Sequence, residues 1–487
     1  MDMRLTLAQM ADLHFYPAVL AGGYNRAFCN DNDRLGKPAR HSERLLNAAL
    51  AQLAQIPVQY LLIAGDLTRE GEYDAHVALA KTLQEFTQQN GTQVLLVPGN
   101  HDLNNSHAAD YSSGQKQPAR QTTAEDFLQI YRPLLPTHTR FFGLNYAVEL
   151  DDQHTLIALD STKPGARVHG EITPEQLQWA LTECARARKE NRVALGLMHH
   201  NLAAHMGHTL AGYLLDDYVK VREKLTRAGM RFCFCGHQHR GHVAKTVCDS
   251  HVLYDVCAPA LNSFPCQFNR VTLSDNIAHI TARAADPTLP LRDSFRFTFA
   301  GKRGGLMGFF AANLRRKLPE LLADIAQCGG TQAWLAQRGT QTPAWLRPVL
   351  AQLDARYIKH PTHAVKLASK LLRRAMKLRI SPHGTVQDFF ETALVVIYGQ
   401  GDWQHEPLLR DVLQRIQDGR LVNQLLRFAG EAIARDLLHT GRQSRLFLQV
   451  ALAALFFPHR RAISRALTRL ALRMLAMPRH HEYILKG

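Results

Sequence analysis

The stretch FCGHQHRGH, Phe234–His242, decides the fold, because it sets His237, His239 and His242 directly behind the apolar run MRFCFC, Met230–Cys235. In that run Phe232 and Phe234 alternate with Cys233 and Cys235, the period-two pattern of a buried strand. A lone histidine beside such a strand is ordinarily a satisfied core residue. Three within six residues at the mouth of one strand point instead to polar groups collected where an α/β sheet ends.

The same punctuation recurs outward from this point. Earlier apolar runs end in Asp12-Leu13-His14, Gly65-Asp66, Gly99-Asn100-His101-Asp102 and Met198-His199-His200. Helical patterns lie between them: HSERLLNAALAQLAQI, where Ser42 is placed to cap, then EYDAHVALAKTLQEF, TPEQLQWALTECARARKE and DDYVKVREKLTRAG. Short strands follow around HVLYDVCA, FNRVTL and AHITARA. Strands alternating with helices, then a run of strands, predict an α/β domain of two packed sheets over residues 1–285. The turn-rich ADPTLPLRD opens a linker over 286–300, and residues 301–487 read as an all-helical domain broken at Pro319, Pro343, Pro361, Pro382, Pro407 and Pro458.

Composition narrows the class. At 487 residues and 46% apolar, the chain can bury large cores. Its opening, MDMRLTLAQM, lacks the apolar length and cleavage site of a secretory leader, and its eight cysteines contain no CxxC pair. Reduced thiols in a cytoplasmic protein are expected. Charge is uneven: residues 1–290 hold 27 Lys and Arg against 29 Asp and Glu, net −2, whereas 291–487 hold 31 against 13, net +18. The stretch KLASKLLRRAMKLRI carries six basic residues in fifteen, and in RRAISRALTRLALRMLAM Arg461, Arg465, Arg469 and Arg473 form one stripe. LFLQVALAALFF, Leu446–Phe457, would span about 18 Å as a helix, too short for a ~30 Å hydrocarbon core.

Carboxylate, imidazole and amide donors together suit Mn, Fe or Zn better than Mg or Ca, which prefer all-oxygen shells. There are too many ligands for one ion. A shared carboxylate would hold two divalent ions at about 3.5–4 Å, the spacing that activates water and stabilises phosphoryl oxygens.

In their order, DxH, GD, GNHD, HH and GHxH resemble the calcineurin-like metallophosphoesterase family over roughly residues 1–285, a four-layer α/β/β/α sandwich. The resemblance implies that Asp12, His14 and His239 bind one metal, that Asp66 bridges, and that Asn100, His199 and His237 hold the second. It implies that His101 faces the substrate, as proton donor to the leaving oxygen or stabiliser of phosphoryl charge, with Asp102 orienting its ring. His199 is preferred to His200 because relatives with a single histidine at this motif have it first. His200 and His242 are read as solvent-facing or outer residues, and Arg240 and His242 as side chains placed where they could contact substrate.

GDLTREGE, GNHDLNN and MHHNL further resemble a bacterial branch of cyclic-nucleotide phosphodiesterase-like proteins. This favours hydrolysis of a small cyclic nucleotide or another phosphodiester. Two insertions, Tyr16–Arg40 and Asn104–Gln121, are expected to wall the pocket. Lipid-linked phosphoesters, nucleic acid and a non-catalytic scaffold are the alternatives. The basic helical part would suit an anionic membrane surface, with peripheral attachment on its inner face. It would also suit nucleic acid, although no aromatic stacking pattern accompanies the charge. No residue pattern marks an oligomeric state.

Overall fold

The computed structural model describes residues 4–32, 39–165, 168–205, 213–274, 277–288, 305–337, 344, 347–398, 406–421, 424–425 and 482–486. The stretches LFLQVALAALFF and RRAISRALTRLALRMLAM lie outside these residues. The chain divides into two compact units near residue 298.

In chain order the first unit comprises β1 (Leu5–Met10), α1 (Arg26–Asn32), α2 (Ser42–Gln55), β2 (Tyr60–Ala64), α3 (Tyr73–Asn90) and β3 (Gln93–Val97). A small pair, β4 (Ala109–Asp110) and β5 (Gln117–Pro118), precedes α4 (Ala124–Tyr131), β6 (Arg140–Phe142), β7 (Asn145–Glu149) and β8 (His154–Ala158). Then come α5 (Pro174–Lys189), β9 (Val193–Leu197), α6 (Tyr218–Arg227) and β10 (Met230–Cys235). The antiparallel run β11 (His242–Cys248), β12 (His251–Cys257), β13 (Gln267–Ser274) and β14 (Ile277–Ala284) completes it.

The strands form two sheets, one containing β14-β13-β1-β2-β3 and the other β11-β12-β10-β9-β8-β7-β6. Side-chain alternation sorts the core into layers. Leu7, Leu62, Leu95, Leu195, Phe232 and Phe234 pack between the sheets. Met10, Leu61 and Leu96 pack outward on Leu45 and Leu53 of α2 and Leu79 of α3, while Cys233, Cys257 and Met198 pack on Leu177 of α5 and Leu225 of α6. The order is helix, sheet, sheet, helix, and β1, β2 and β3 are parallel, as are β8, β9, β10 and β12. Parallel strands deliver their C-terminal ends to one rim.

Several local expectations are corrected. Ser42 begins α2 but does not cap it; its hydroxyl accepts the Tyr16 N–H at 2.9 Å and donates to the Ala39 carbonyl at 2.7 Å, pinning the chain that follows His14. Asp286, the first residue of the expected linker, pairs with Arg44 at 2.8 Å while Gln52 donates to the Ala284 and Ala285 carbonyls.

The second unit contains α7 (Gly305–Gln327), α8 (Thr331–Gln337), α9 (Arg347–Leu353), α10 (Pro361–Met376), β15 (Arg379–Ser381), β16 (Gly384–Thr385), α11 (Val386–Tyr398) and α12 (Pro407–Gln417). Pro319 lies inside α7 rather than ending it; one lost backbone bond does not terminate a 23-residue helix packed on α10. Nor is the region all helical, because the turn formers Ser381-Pro382-His383-Gly384 close a hairpin. A last strand, β17 (Glu482–Lys486), pairs antiparallel with β14, satisfying the backbone groups of that edge within the first unit.

Behind the rim, His76 is fully buried between Thr68 Oγ1 at 3.0 Å and Tyr131 OH at 2.8 Å. Burial lowers its pKa to about 3. The folded chain therefore keeps it neutral while the unfolded chain takes up a proton below about pH 6.5, so stability falls as pH drops from 6.5 toward 3. Urea unfolding of the metal-free protein between pH 7 and 5 is expected to show a pH slope steeper than that of His76→Gln, the difference approaching one proton toward pH 5. Equal slopes would show that His76 titrates normally.

Candidate metal centre

Each expected ligand stands just beyond a strand end on the common rim. Asp12 and His14 follow β1, Asp66 follows β2, Asn100 and His101 follow β3, His199 and His200 follow β9, and His237 and His239 follow β10. Asp12, His14, Asp66, His237 and His239 all have positive φ, between 40° and 67°. Such strained conformations in non-glycine residues persist where the surroundings over-determine them, and they cluster at functional sites. Backbone bonds cross-brace the turns: Asp12 N–H to the Gly65 carbonyl, His14 N–H to the Asp66 carbonyl and Gly236 N–H to the His199 carbonyl, each at 3.0 Å.

Two glycines are required by close approach. Gly65 has φ +78°, and a Cβ there would sit 2.6 Å from His199 Nδ1. At Gly99 a Cβ would collide with the backbone nitrogen and carboxylate of Asp66.

The side chains form two adjoining groups. Asp12, His14, Asp66 and His239 offer ligand atoms within 4.8 Å of one another, and so do His199, His200 and His237. Asp12 Oδ1 lies 3.2 Å from His239 Nε2, and its Oδ2 accepts the His237 N–H. Asp66 faces both groups: Oδ1 is 3.5 Å from His199 Nε2 and Oδ2 is 3.6 Å from His14 Nε2. Burial resists the charged form of Asp12, but the His239 and His199 imidazoles hold its carboxyl below the usual range.

The donor set fits cations. The Ala64 carbonyl, which can only accept, takes the Nδ1–H of His199 at 2.8 Å. In the neutral ring Nε2 then carries a lone pair, facing Asn100 Oδ1 at 3.0 Å, His237 Nδ1 at 3.2 Å and Asp66 Oδ1 at 3.5 Å. Such atoms converging in a buried space suit a positive charge between them, a shared proton or a bound cation, and fixing the outer ring nitrogen is how metal-binding histidines are oriented. His239 Nδ1 is likewise held by Ser263 Oγ at 3.1 Å.

Three placements differ from the expectations. Asp102 does not serve as the orienting carboxylate of His101. It is fully buried and its oxygens accept the N–H groups of Leu67, Thr68 and Gly99 at 3.0, 2.9 and 2.7 Å, while burial and then the Asp66 charge push its carboxyl up. The carboxylate at His101 Nδ1 is Glu70, at 3.0 Å, steadied by the Asn105 amide at 2.8 Å. Burial resists ionisation of Glu70, yet the His101 hydrogen bond and charge, with Arg69, bring its pKa to about 2. Glu70 stands in GDLTREGE, four residues beyond Asp66, and that proximity was the available signal.

His200 is not solvent-facing: it is fully buried, its ring centroid lies 4.5 Å from that of His237, and its Nδ1 is 2.9 Å from Ser161 Oγ. His242 is buried too, at 8% exposure, and Arg240 beside it is 3% exposed. Replacing Glu70 by Gln keeps the hydrogen bond but removes the charge, and about a tenfold loss of kcat with an altered pH profile is expected from loss of such an outer partner. An unchanged profile would make Glu70 structural only.

The two insertions meet beside the first group. Tyr16 OH donates to the Ala109 carbonyl at 2.6 Å and Tyr111 N–H to that of Leu20 at 2.9 Å. Arg69, 6% exposed, reaches Asn32 Oδ1 of the first insertion and Glu72 at 3.6 Å, while Lys116 of the second insertion pairs with Asp31 at 2.8 Å.

A chain described as a cAMP/cGMP dual specificity phosphodiesterase from Mycobacterium tuberculosis is 25% identical over 229 residues, covering 47% of this chain and 61% of that protein. The chain thus spans about three fifths of the length of that curated relative. Among solved structures, a dimetal phosphatase from Danio rerio aligns at 13% identity and a TM-score of 0.41, covering 58% of this chain and 96% of that one. A putative 5'-nucleotidase from Staphylococcus aureus aligns at 14% identity and a TM-score of 0.31, covering 56% and 51%. The model of the calcineurin-like phosphoesterase family matches residues 5–241, a span holding all five motifs, and the first unit thus carries a calcineurin-like phosphoesterase domain.

Proposed function

We propose that the chain hydrolyses a phosphodiester at a two-ion centre. The observation that carries this reading is Asp66, one oxygen toward His199 and the other toward His14, as a carboxylate shared by two ions requires. Asp12, His14 and His239 would hold one ion and Asn100, His199 and His237 the other. Bound ions of the Mn, Fe or Zn class would supply a hydroxide near neutral pH and offset the charge of the phosphoryl oxygens.

The chain's own residues do the rest. Ala64 and Ser263 hold ligand rings in orientation, and the positive-φ turns hold their backbones. His101, with Nδ1 tied to Glu70, turns Nε2 toward Asp66 Oδ2, 3.8 Å away, where it can meet the leaving oxygen. No serine or cysteine nucleophile is needed.

Similarity to the mycobacterial phosphodiesterase supports a cyclic nucleotide as substrate. Purified full chain with Mn, offered 3',5'-cyclic AMP, a nucleoside monophosphate and single-stranded DNA, is expected to open the cyclic diester fastest and to stop at the monoester. Preferential cleavage of DNA, with affinity falling steeply as salt rises, would establish a nuclease instead.

A second reading, a lipid-linked phosphoester at a membrane surface, draws on α10, whose Lys366, Lys370, Arg373 and Arg374 are exposed together with the adjacent Lys377. Among the described residues no helix is long and apolar enough to cross a membrane. Co-sedimentation with anionic but not neutral vesicles would favour this reading.

A further inference from the structure

The helix-side face of the second sheet carries another group of ligand-type side chains, which the chemistry above does not use. Cys235 ends β10 and Asp255 lies in β12; the two strands are parallel, with Cys233 opposite Asp255 and Cys235 opposite Cys257. His205 reaches this group from the loop after β9. Cys235 Sγ, a carboxylate oxygen of Asp255 and a ring nitrogen of His205 all lie within 4.8 Å of one another. All three residues are buried, His205 at 2% exposure and the others at 0%.

We propose that Cys235, His205 and Asp255 bind a further, thiophilic divalent cation of the zinc class, which staples the loop carrying His199 and His200 to the sheet. The donor types select it. A thiolate with imidazole and carboxylate favours zinc-like ions over Mg or Ca, and it differs from the nitrogen-and-oxygen set of the rim.

Position supports it as well. His205 Nε2 lies 3.3 Å from Asp255 Oδ2, a fitting separation for two ligands of one tetrahedral ion, about 3.3–3.8 Å at the usual bond lengths. His205 Nδ1 lies 2.9 Å from His242 Nδ1, so His242 can accept a hydrogen bond from the His205 Nδ1–H, which leaves the Nε2 lone pair facing the carboxylate. Asn201, fully buried, touches Cys235 Sγ through Nδ2 at 2.9 Å, while its Oδ1 has no hydrogen-bond partner. Asp255 Oδ2 is steadied by the N–H groups of Leu202 at 2.8 Å and Ala203 at 2.7 Å. Cys235 Sγ stands 2.6 Å from Asp255 Oδ1, closer than two ligands of one ion, so on binding the sulfur draws back by about 1 Å as its proton passes to solvent.

The competing arrangement is metal-free: His205 Nε2–H donates to Asp255 and His242 donates to His205. Cobalt separates the two, because sulfur-to-cobalt charge-transfer absorption needs a thiolate ligand and the rim has none. Full chain stripped with chelator and loaded with Co2+ is expected to show this absorption and to bind one ion more than the rim accounts for. Cys235→Ser should abolish the absorption, His205→Ala should weaken the binding that produces it by tenfold or more, and Cys328→Ser, at a partly exposed thiol, should leave it unchanged. Circular dichroism reports whether each variant folds; if Cys235→Ser does not, His205→Ala decides. Absence of the band from the wild type, or its persistence at full affinity in His205→Ala, would overturn the proposal. This test reads no turnover and is independent of the phosphodiesterase reading.

Discussion

Replacing Asp66 by Ala is expected to lower Mn-dependent hydrolysis of a phosphodiester by about a thousandfold or more, the several kcal/mol that a metal centre contributes to such a transition state. Asp66 faces both ligand groups with its side-chain oxygens, Oδ1 toward His199 and Oδ2 toward His14. Its removal leaves two clusters of imidazoles with less negative charge to hold cations together, and His101 N–H also loses its 3.0 Å acceptor. The fold should survive, because the residue lies past the end of β2 rather than among the apolar side chains between the sheets. The measurement is turnover together with metal content by elemental analysis. A folded Asp66→Ala protein that keeps the wild-type rate would remove the bridging role.

His101→Ala is expected to cost about 10²–10⁴-fold in kcat, the range for a general acid, while leaving metal content unchanged. His101 sits beside the ligand groups rather than within them: its side chain is 18% exposed, its ring meets that of His14 edge-on at 5.0 Å, and its Nδ1 is committed to Glu70. Leaving-group dependence identifies the role. A general acid matters most when an alkoxide departs, as from a cyclic nucleotide, and least when nitrophenolate departs. An equal loss on both substrates would assign His101 to stabilising phosphoryl charge, and no loss on either would remove it from the chemistry.

The rim was legible because parallel strands announce themselves as apolar runs and their ligands follow within a few residues. Asp12, His14, Asp66, Asn100, His199, His237 and His239 all come together. What the chain order did not show was direction. Asp102 is adjacent to His101 in sequence, yet its oxygens meet backbone N–H groups, and Glu70, 31 positions earlier, reaches the ring instead. Ser42 had the chemistry of a cap, but its hydroxyl accepts the N–H of Tyr16, which belongs to another segment. His200 read as an outer residue because its neighbours Ser161 and His237 are remote in sequence. β17 was missed for a related reason: a five-residue strand becomes one only when β14 offers an edge. Local pattern records which residues lie at a strand end, whereas partner choice is a tertiary property.

The most direct test of the two-ion account is a manganese titration of the chelator-stripped full chain, followed by hydrolysis of bis-para-nitrophenyl phosphate. The account predicts no turnover without metal, a rise that reaches its plateau at two equivalents per chain, and loss of that plateau in Asp66→Ala. Turnover that persists in chelator, or two bound ions with no hydrolysis of this or any other diester, would contradict it.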